Sequence, residues 1–279
     1  MKDKICMVTG ASGGIGKAAA LGLAKKGATV ILVCHNRTNG ELAATEIKSV
    51  SGNSNIFLIC GDLSNRKGVH DVADGFKDRF GSLHILVNNA GALVPKRYLT
   101  ADGLEMTFGL NHLGYFHLTN LLLNTMKRSA PSRIINVASD VHRYVQLDLV
   151  DTQSEHGYSS MKAYARSKLA NIMFTYELAH RLEGKEITVN CMHPGAVKSD
   201  FYRNASGPVK TYYSLFGWTM RSPEKGAETI VYLASSVEVT GITGKYFIDK
   251  KQVLSSEHSR DSETSRKLWE LSEHLTSMK

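Results

Sequence analysis

The chain has 279 residues, 42% hydrophobic and 22% charged, an ordinary globular balance with enough length to bury a large core in one domain. A formal net charge of +8 and a pI near 9.2 bring nucleic acid and anionic membranes to mind, but the basic residues are scattered in doublets such as Lys25-Lys26 and Lys250-Lys251, which argues against nucleic acid. Cys6, Cys34, Cys60 and Cys191 each lie in a short apolar run with no Cys-x-x-Cys pair, the histidines form no ligand cluster, and no apolar run is long enough for a bilayer. Buried thiols in a reducing, cytoplasmic setting are therefore expected, with no metal, and with Lys4 to Val8 already a core strand rather than a signal peptide.

Ile5 to Val8 is a continuous apolar run that leads into Thr9-Gly10-Ala11-Ser12-Gly13-Gly14-Ile15-Gly16 and then a helical pattern from Lys17 to Lys26. Strand, glycine-rich turn and helix in that order let the backbone approach a pyrophosphate and aim N–H groups at it, so nucleotide binding is expected here. A merely flexible loop would not account for the buried strand before it and the amphipathic helix after it.

The second strand, Thr29 to Val33, ends in Cys34-His35-Asn36-Arg37, where an NAD-binding protein carries an acid for the ribose 2′-hydroxyl. With no carboxylate to repel a 2′-phosphate, and with His35, Arg37 and Lys17 able to attract one, NADP(H) is the expected cofactor. A helix from about 39 to 50 precedes a third strand, Asn55 to Cys60, closed by Gly61-Asp62-Leu63-Ser64, in which Asp62 reads locally as a cap or turn residue. The fourth strand, His84 to Val87, runs into Asn88-Asn89-Ala90-Gly91, and a long helix from Thr107 to about Arg128 carries a buried amide at Asn111.

Arg133 to Ser139 reads as a buried strand with a hydroxyl at its C-terminal end, the end at which open α/β sheets bind ligands. The helical stretch Gly157 to Leu182 then places Tyr164 and Lys168 one turn apart on one face, where an ammonium can bring a phenol towards acid–base work at neutral pH. Tyr158 and Lys162 repeat the spacing. Positions six apart point about 120° from each other, so one pair alone can serve a site. The stripe Leu169, Ile172, Met173, Tyr176, Ala179 and Leu182 favours Tyr164, since Tyr158 follows Gly157 where the helix is only starting.

A sixth strand, Ile187 to Met192, ends in His193-Pro194-Gly195-Ala196-Val197-Lys198-Ser199. Phe201, Tyr202, Tyr212, Tyr213, Phe216 and Trp218 follow, in a region to about 222 that reads as packing, as a lid over an apolar substrate, or as a membrane-touching patch. A helix from Pro223 to about Ser235, a strand from Lys245 to Ile248 and a polar tail with Leu268, Leu271 and Leu275 on one helical stripe complete the chain. The alternation predicts an α/β fold: a doubly wound (Rossmann-type) parallel sheet of about seven strands, helices on both faces, one domain over 1–279. Residues 1–100 form mainly the cofactor half, 101–250 the catalytic and substrate half with a lid at about 196–222, and 251–279 the tail.

Gly10, Gly14 and Gly16 in T-G-x-x-x-G-x-G, Asn88-Asn89-Ala90-Gly91, Ser139, Tyr164, Lys168 and Pro194-Gly195, in this order, resemble the short-chain dehydrogenase/reductase family from end to end. The long gap from Ser139 to Tyr164, with Ala130-Pro131-Ser132-Arg133, Asn111-His112-Leu113-Gly114 and Lys168-Leu169-Ala170-Asn171, is similar to its retinol dehydrogenase-like branch. The resemblance implies that Tyr164 exchanges a proton with the substrate oxygen, Lys168 holds the nicotinamide ribose, Ser139 orients the carbonyl and Asn111 holds a water of a proton relay. It also implies cofactor contacts from Ser12, Gly13 and Ile15 in the turn, from Asp62 at the adenine with Leu63 beside it, from Asn88, Ala90 and Gly91, and from Pro194, Gly195, Val197 and Ser199 near the nicotinamide. Many NADP(H)-dependent relatives carry arginine directly after the position of Cys34; His35 stands there, which makes a modest preference for NADP(H) the expectation. The implied activity is interconversion of an apolar aldehyde or ketone and its alcohol, retinaldehyde and retinol first, other lipid aldehydes or steroids next. A catalytically silent, cofactor-bound sensor is the alternative from another class. Peripheral membrane contact and a homodimer are left open.

Overall fold

The computed structural model describes residues 1–198 and 220–278. Eight strands form one sheet: β1 (Ile5–Thr9), β2 (Thr29–Cys34), β3 (Ile56–Cys60), β4 (Ile85–Asn88), β5 (Ser132–Val137), β6 (Ile187–His193), β7 (Lys245–Ile248) and β8 (Lys251–Val253). Their order is β3-β2-β1-β4-β5-β6-β7-β8, parallel throughout except for the last pair.

The period-two alternation of strands explains the layers. In β1, Cys6 and Val8 enter the apolar cluster on one face with Leu23 and Ile230, while Met7 enters the other with Phe76, Phe116 and Leu178. The first face is covered by helices α1 (Gly14–Lys25), α2 (Arg37–Ser51) and α7 (Pro223–Ser235). The second carries α3 (Arg66–Lys77), α5 (Gly114–Arg128), α6 (Ser160–Arg181) and, outside α6, the C-terminal helix α8 (Ser262–Leu275). Burial on both faces is why the strands read as continuous apolar runs.

Three local features differ from the sequence reading. The helix expected from Thr107 is a short α4 (Met106–Phe108), a π turn over Gly109–Leu113 and then α5, with the extra residue of the π turn falling around Asn111. An eighth strand, β8, turns back antiparallel on β7 through Asp249 and Lys250, both at positive φ (49° and 65°) as a tight two-residue hairpin requires. Cys60 is only half-buried, unlike the other three thiols.

The two rims of the sheet differ. On β3, Arg79 donates to the Leu58 carbonyl at 3.2 Å and lies over the Phe57 and Phe80 rings. At the other rim β8 has three residues, of which Lys251 and Gln252 are exposed. No helix among the described residues is long and apolar enough to cross a membrane.

Several imidazoles are buried in this frame. Burial pushes His112, His117 and His193 each down to about 4, and His142 is lowered for the same reason. The unfolded chain binds protons on these groups from about pH 6.5 downward while the folded one does not until much lower, so stability falls as pH drops from 6.5 towards 4. A urea titration is expected to give a lower midpoint near pH 5 than near pH 7, and His117→Phe to shrink that difference; equal midpoints for the wild type would contradict this account.

Candidate active site

The glycine turn is built by close approach. Gly10 and Gly14 have φ of 66° and 52°, and a Cβ on Gly16 would lie 2.3 Å from the Gly10 carbonyl oxygen and 2.5 Å from Asn89 Nδ2. Asn89 Nδ2 donates to the Thr9 carbonyl at 2.8 Å, and the backbone N–H groups of Asn89 and Ala90 donate to Thr9 Oγ1 at 2.9 and 3.0 Å. The turn and the Asn-Asn-Ala-Gly stretch are thus one unit. Gly13 caps α1 with no side-chain hydrogen bond, there is no acid in the first turn, and a Cβ at Gly13 would meet nothing within 4 Å. Unpaired N–H groups beside open space, with Ser12 and Ile15 on either flank of Gly13-Gly14, fit the phosphates of a dinucleotide.

At the end of β2, Cys34 is buried and its thiol is pushed up to about 11 by burial, while His35 and Arg37 just beyond it are exposed. Arg37 approaches Glu41 at 3.7 Å and Lys17 pairs with Glu46 at 2.8 Å, two surface ion pairs of little energetic weight. Asp62 uses both carboxylate oxygens within its own turn, accepting from Ser64 N and Asn65 Nδ2 at 2.9 Å each, and Asn65 caps α3 in its place. Leu63 beside it is buried. Asn88 is also turned inward. Its amide bridges Thr119 Oγ1 and Asn136 Oδ1, both at 2.9 Å, and so ties β4 to α5 and β5.

Ser139 lies two residues past β5, 8% exposed, at the head of a 3-10 turn, Asp140–Tyr144. Its carbonyl accepts from His142 Nδ1 at 2.8 Å, and His142 Nε2 accepts from the backbone N–H of Ser256 at 3.0 Å, a tether that no motif in the chain signals. On α6 the half-buried Tyr164 stands one turn before Lys168, whose Nζ is 5.6 Å from the Tyr164 ring centre and 5.5 Å from that of Tyr115. Lys168 is 3% exposed and donates to the Val137 carbonyl at 2.9 Å. Burial pulls its pKa from 10.5 down to about 7.

Tyr158 precedes α6 altogether; its hydroxyl donates to the Val94 carbonyl at 2.7 Å and lies 3.2 Å from Thr107 Oγ1. Asn111 is fully buried, its Oδ1 accepting from Ala92 N at 2.8 Å and its Nδ2 donating to the Ala92 carbonyl at 3.0 Å and Ser167 Oγ at 3.1 Å. Its side chain therefore braces the loop after Gly91, which leaves the backbone carbonyl for any relay. A Cβ on Gly91 would sit 3.1 Å from Asn111 Oδ1 and 3.7 Å from Lys168 Nζ, so both residues converge on that glycine.

The inserted stretch from Asp140 to His156 is a clasp. Gln153 accepts from Arg97 through its carbonyl and from Glu105 N through Oε1, locking the loop after β5 onto the loop after β4. After β6, Pro194 and Gly195 lead to Val197, which bridges to Arg221 and packs near Ile15 and Gly226. Arg221, whose pair with Asp249 raises its pKa further, fixes that turn. Ser199 and the aromatics Phe201, Tyr202, Tyr212, Tyr213, Phe216 and Trp218 lie outside the described residues. A cavity of about 1230 Å³ opens at the opposite, N-terminal ends of the strands, beside Lys4, Arg133 and Lys245, and contains none of the site residues.

Residues 4–208 match the family model described as short chain dehydrogenase. Retinol dehydrogenase 11 of Mus musculus is 42% identical over 272 residues, covering 98% of this chain and 86% of the relative. Among solved structures, a putative uncharacterized protein from Mycobacterium paratuberculosis superposes with a TM-score of 0.79 at 29% identity, over 99% of this chain and 94% of its own. L-sorbose reductase from Gluconobacter frateurii, complexed with NADPH and L-sorbose, gives 0.72 at 25% identity, over 92% and 97%.

With a folded pKa near 7 against 10.5, Lys168 leaves the unfolded chain holding one more proton through that interval, so it makes stability rise with pH above 7. The clean window runs to about pH 8.5, because the buried Cys6 and Cys191 thiols, pushed up to about 12, act in the opposite sense above that. Melting temperatures of the cofactor-free protein measured from pH 7 to 8.5 are expected to rise relative to those of Lys168→Met. Parallel curves would show that Lys168 keeps its ordinary pKa.

Proposed function

This chain belongs to the short-chain dehydrogenases, in their retinol dehydrogenase-like branch, and from that premise we propose that it is an NADP(H)-dependent oxidoreductase of apolar aldehydes or ketones and their alcohols, with retinaldehyde and retinol as the first substrates to try. The observation that carries this reading is the buried Lys168 ammonium set against the Tyr164 ring and bonded to the end of β5, two residues before Ser139. In the reductive direction Tyr164 donates a proton to the carbonyl oxygen, Ser139 hydrogen-bonds that oxygen and holds it in place, and Lys168 stabilises the phenolate left behind. The nicotinamide, when bound, supplies the hydride. A Lys168 that is only about half protonated at pH 7 is poised to return a proton to the Tyr164 phenolate and to take its replacement from water near Asn111.

The 2′-phosphate of NADP(H) suits the acid-free end of β2, where the weak pairing of Arg37 with Glu41 leaves its charge available to a doubly charged anion. NADPH bound in the Gluconobacter reductase is consistent with this choice. An apolar substrate suits Tyr98, Leu99 and Tyr144, exposed on the loops that follow β4 and β5, and the name of the murine relative narrows the first choice to retinoids. In this reading residues 1–100 serve mainly the cofactor and 101–250 the chemistry.

Two measurements test the reading. Tyr164→Phe should abolish NADPH-dependent reduction of retinaldehyde while leaving NADPH binding nearly intact, with Tyr158→Phe as the matched control; substantial residual turnover would sink the assignment. Arg37→Ala should raise the Kd for NADPH by about tenfold, the loss of one charge-assisted contact of roughly 1.4 kcal/mol, and leave NADH unchanged. An equal effect on both nucleotides would remove Arg37 from 2′-phosphate recognition.

A further inference from the structure

The two branch-like stretches, Asn111-His112-Leu113-Gly114 and Lys168-Leu169-Ala170-Asn171, meet in the interior, away from the surface a cofactor would touch. Asn171 Nδ2 donates to the Asn111 carbonyl at 2.9 Å, His112 Nδ1 lies 3.3 Å from Asn171 Oδ1, and His112 Nε2 lies 3.0 Å from Ser272 Oγ on α8. Asn111, His112, Asn171 and Ser272 are all 0% exposed. The chain begins at a carbonyl inside the π turn and ends on the C-terminal helix.

The proton positions follow from the contacts. Asn171 turns its amino group to the Asn111 carbonyl, so its oxygen faces the ring, and His112 must carry its proton on Nδ1. Nε2 is then the acceptor. The Ser272 hydroxyl donates to the Leu268 carbonyl at 2.7 Å, and the same hydroxyl, turned towards the ring 3.0 Å away, is the donor to His112 Nε2. Protonating both ring nitrogens is disfavoured, because burial holds His112 near 4. The neutral ring therefore links Ser272 to Asn171 in one direction.

Packing alone does not account for an imidazole here. His112 lies among Phe108, Phe116 and Phe174, at ring separations of 5.0, 6.5 and 6.3 Å, and the gap between it, Trp269 and Ser272 is too narrow for water. A phenyl ring would fit that surrounding without the cost of desolvating two nitrogens. The nitrogens are kept for what they hold.

We propose that Ser272, His112 and Asn171 form a buried positioning chain through which the C-terminal helix fixes the Asn111 carbonyl for proton relay. A carbonyl accepts two hydrogen bonds, so the bond from Asn171 sets its direction and leaves a second lone pair for a relay water. None of the three is a catalytic residue. This rests on the proposed proton relay, deepening it from Asn111 outward to α8.

The test compares His112→Phe and Ser272→Ala with Tyr164→Phe, measuring kcat and KM for retinaldehyde, NADPH Kd, melting temperature and the solvent deuterium isotope effect on kcat. His112→Phe is expected to stay folded, melting modestly lower because the buried Asn171 Oδ1 loses its donor, and to bind NADPH within about twofold, yet to lose about tenfold in kcat with a larger isotope effect, as when about 1.4 kcal/mol of transition-state support goes. Ser272→Ala should shift kcat and the isotope effect in the same sense, and the double variant should be no slower than His112→Phe, because members of one chain do not add. A kcat for His112→Phe within twofold of wild type, while Tyr164→Phe is dead, would overturn the positioning chain and leave the catalytic reading standing. If His112→Phe does not fold, Ser272→Ala decides, an unchanged kcat and isotope effect counting against the proposal. An active Tyr164→Phe would instead remove the catalytic reading and this chain with it.

Discussion

The hydrogen bond from Lys168 Nζ to the Val137 carbonyl fastens α6 across the end of β5. It holds an ammonium where almost no water reaches it, and a charge so placed is tolerated only with fixed polar partners around it. The other arrangements at this end of the sheet follow from that constraint. Tyr115 and Tyr164 present ring faces to the cation, and the Asn111 side chain is locked by Ala92 and Ser167 so that it cannot move away from it. The depressed pKa is the measure of the tension, and it turns a structural fastening into a group that exchanges protons near neutrality.

Beneath that end runs a polar seam through an otherwise apolar interior. Asn88 reaches Thr119 and Asn136, Asn136 reaches Thr175, and Thr175 returns to the Asn171 carbonyl, each link between 2.7 and 2.9 Å. Two strands, β4 and β5, and two helices, α5 and α6, are thereby held in a single register at the level of the site, since a satisfied buried network tolerates little displacement of its members. Rigid placement of the strand ends is what positions Ser139 and the glycine turn relative to α6.

The layers of this fold were legible because parallel strands buried on both faces leave unmistakable apolar runs, as at Ile5–Thr9 and Thr29–Cys34. Tyr164 could be separated from Tyr158 by the stripe that follows it, and the helix does begin only after Tyr158. The π turn at Gly109–Leu113 was not legible, because one inserted residue leaves local helical spacing nearly unchanged. Neither was β8, whose Lys251, Gln252 and Val253 have no apolar run and form a strand only against β7. His142 looked like any lone histidine; its importance comes from joining Ser139 to Ser256, residues far apart in the chain. The inserted segment announced its length but not its use, since Gln153 acts through contacts with Arg97 and Glu105 that no spacing encodes.

The treatment of the two rims also governs how molecules of this protein can meet. An open strand edge is a template for adding a strand from another chain, and such addition leads towards fibrous aggregates. Here Arg79 occupies a carbonyl of β3 and shields it with stacked rings, while β8 is too short and too polar to extend. Growth by sheet continuation is disfavoured at both ends.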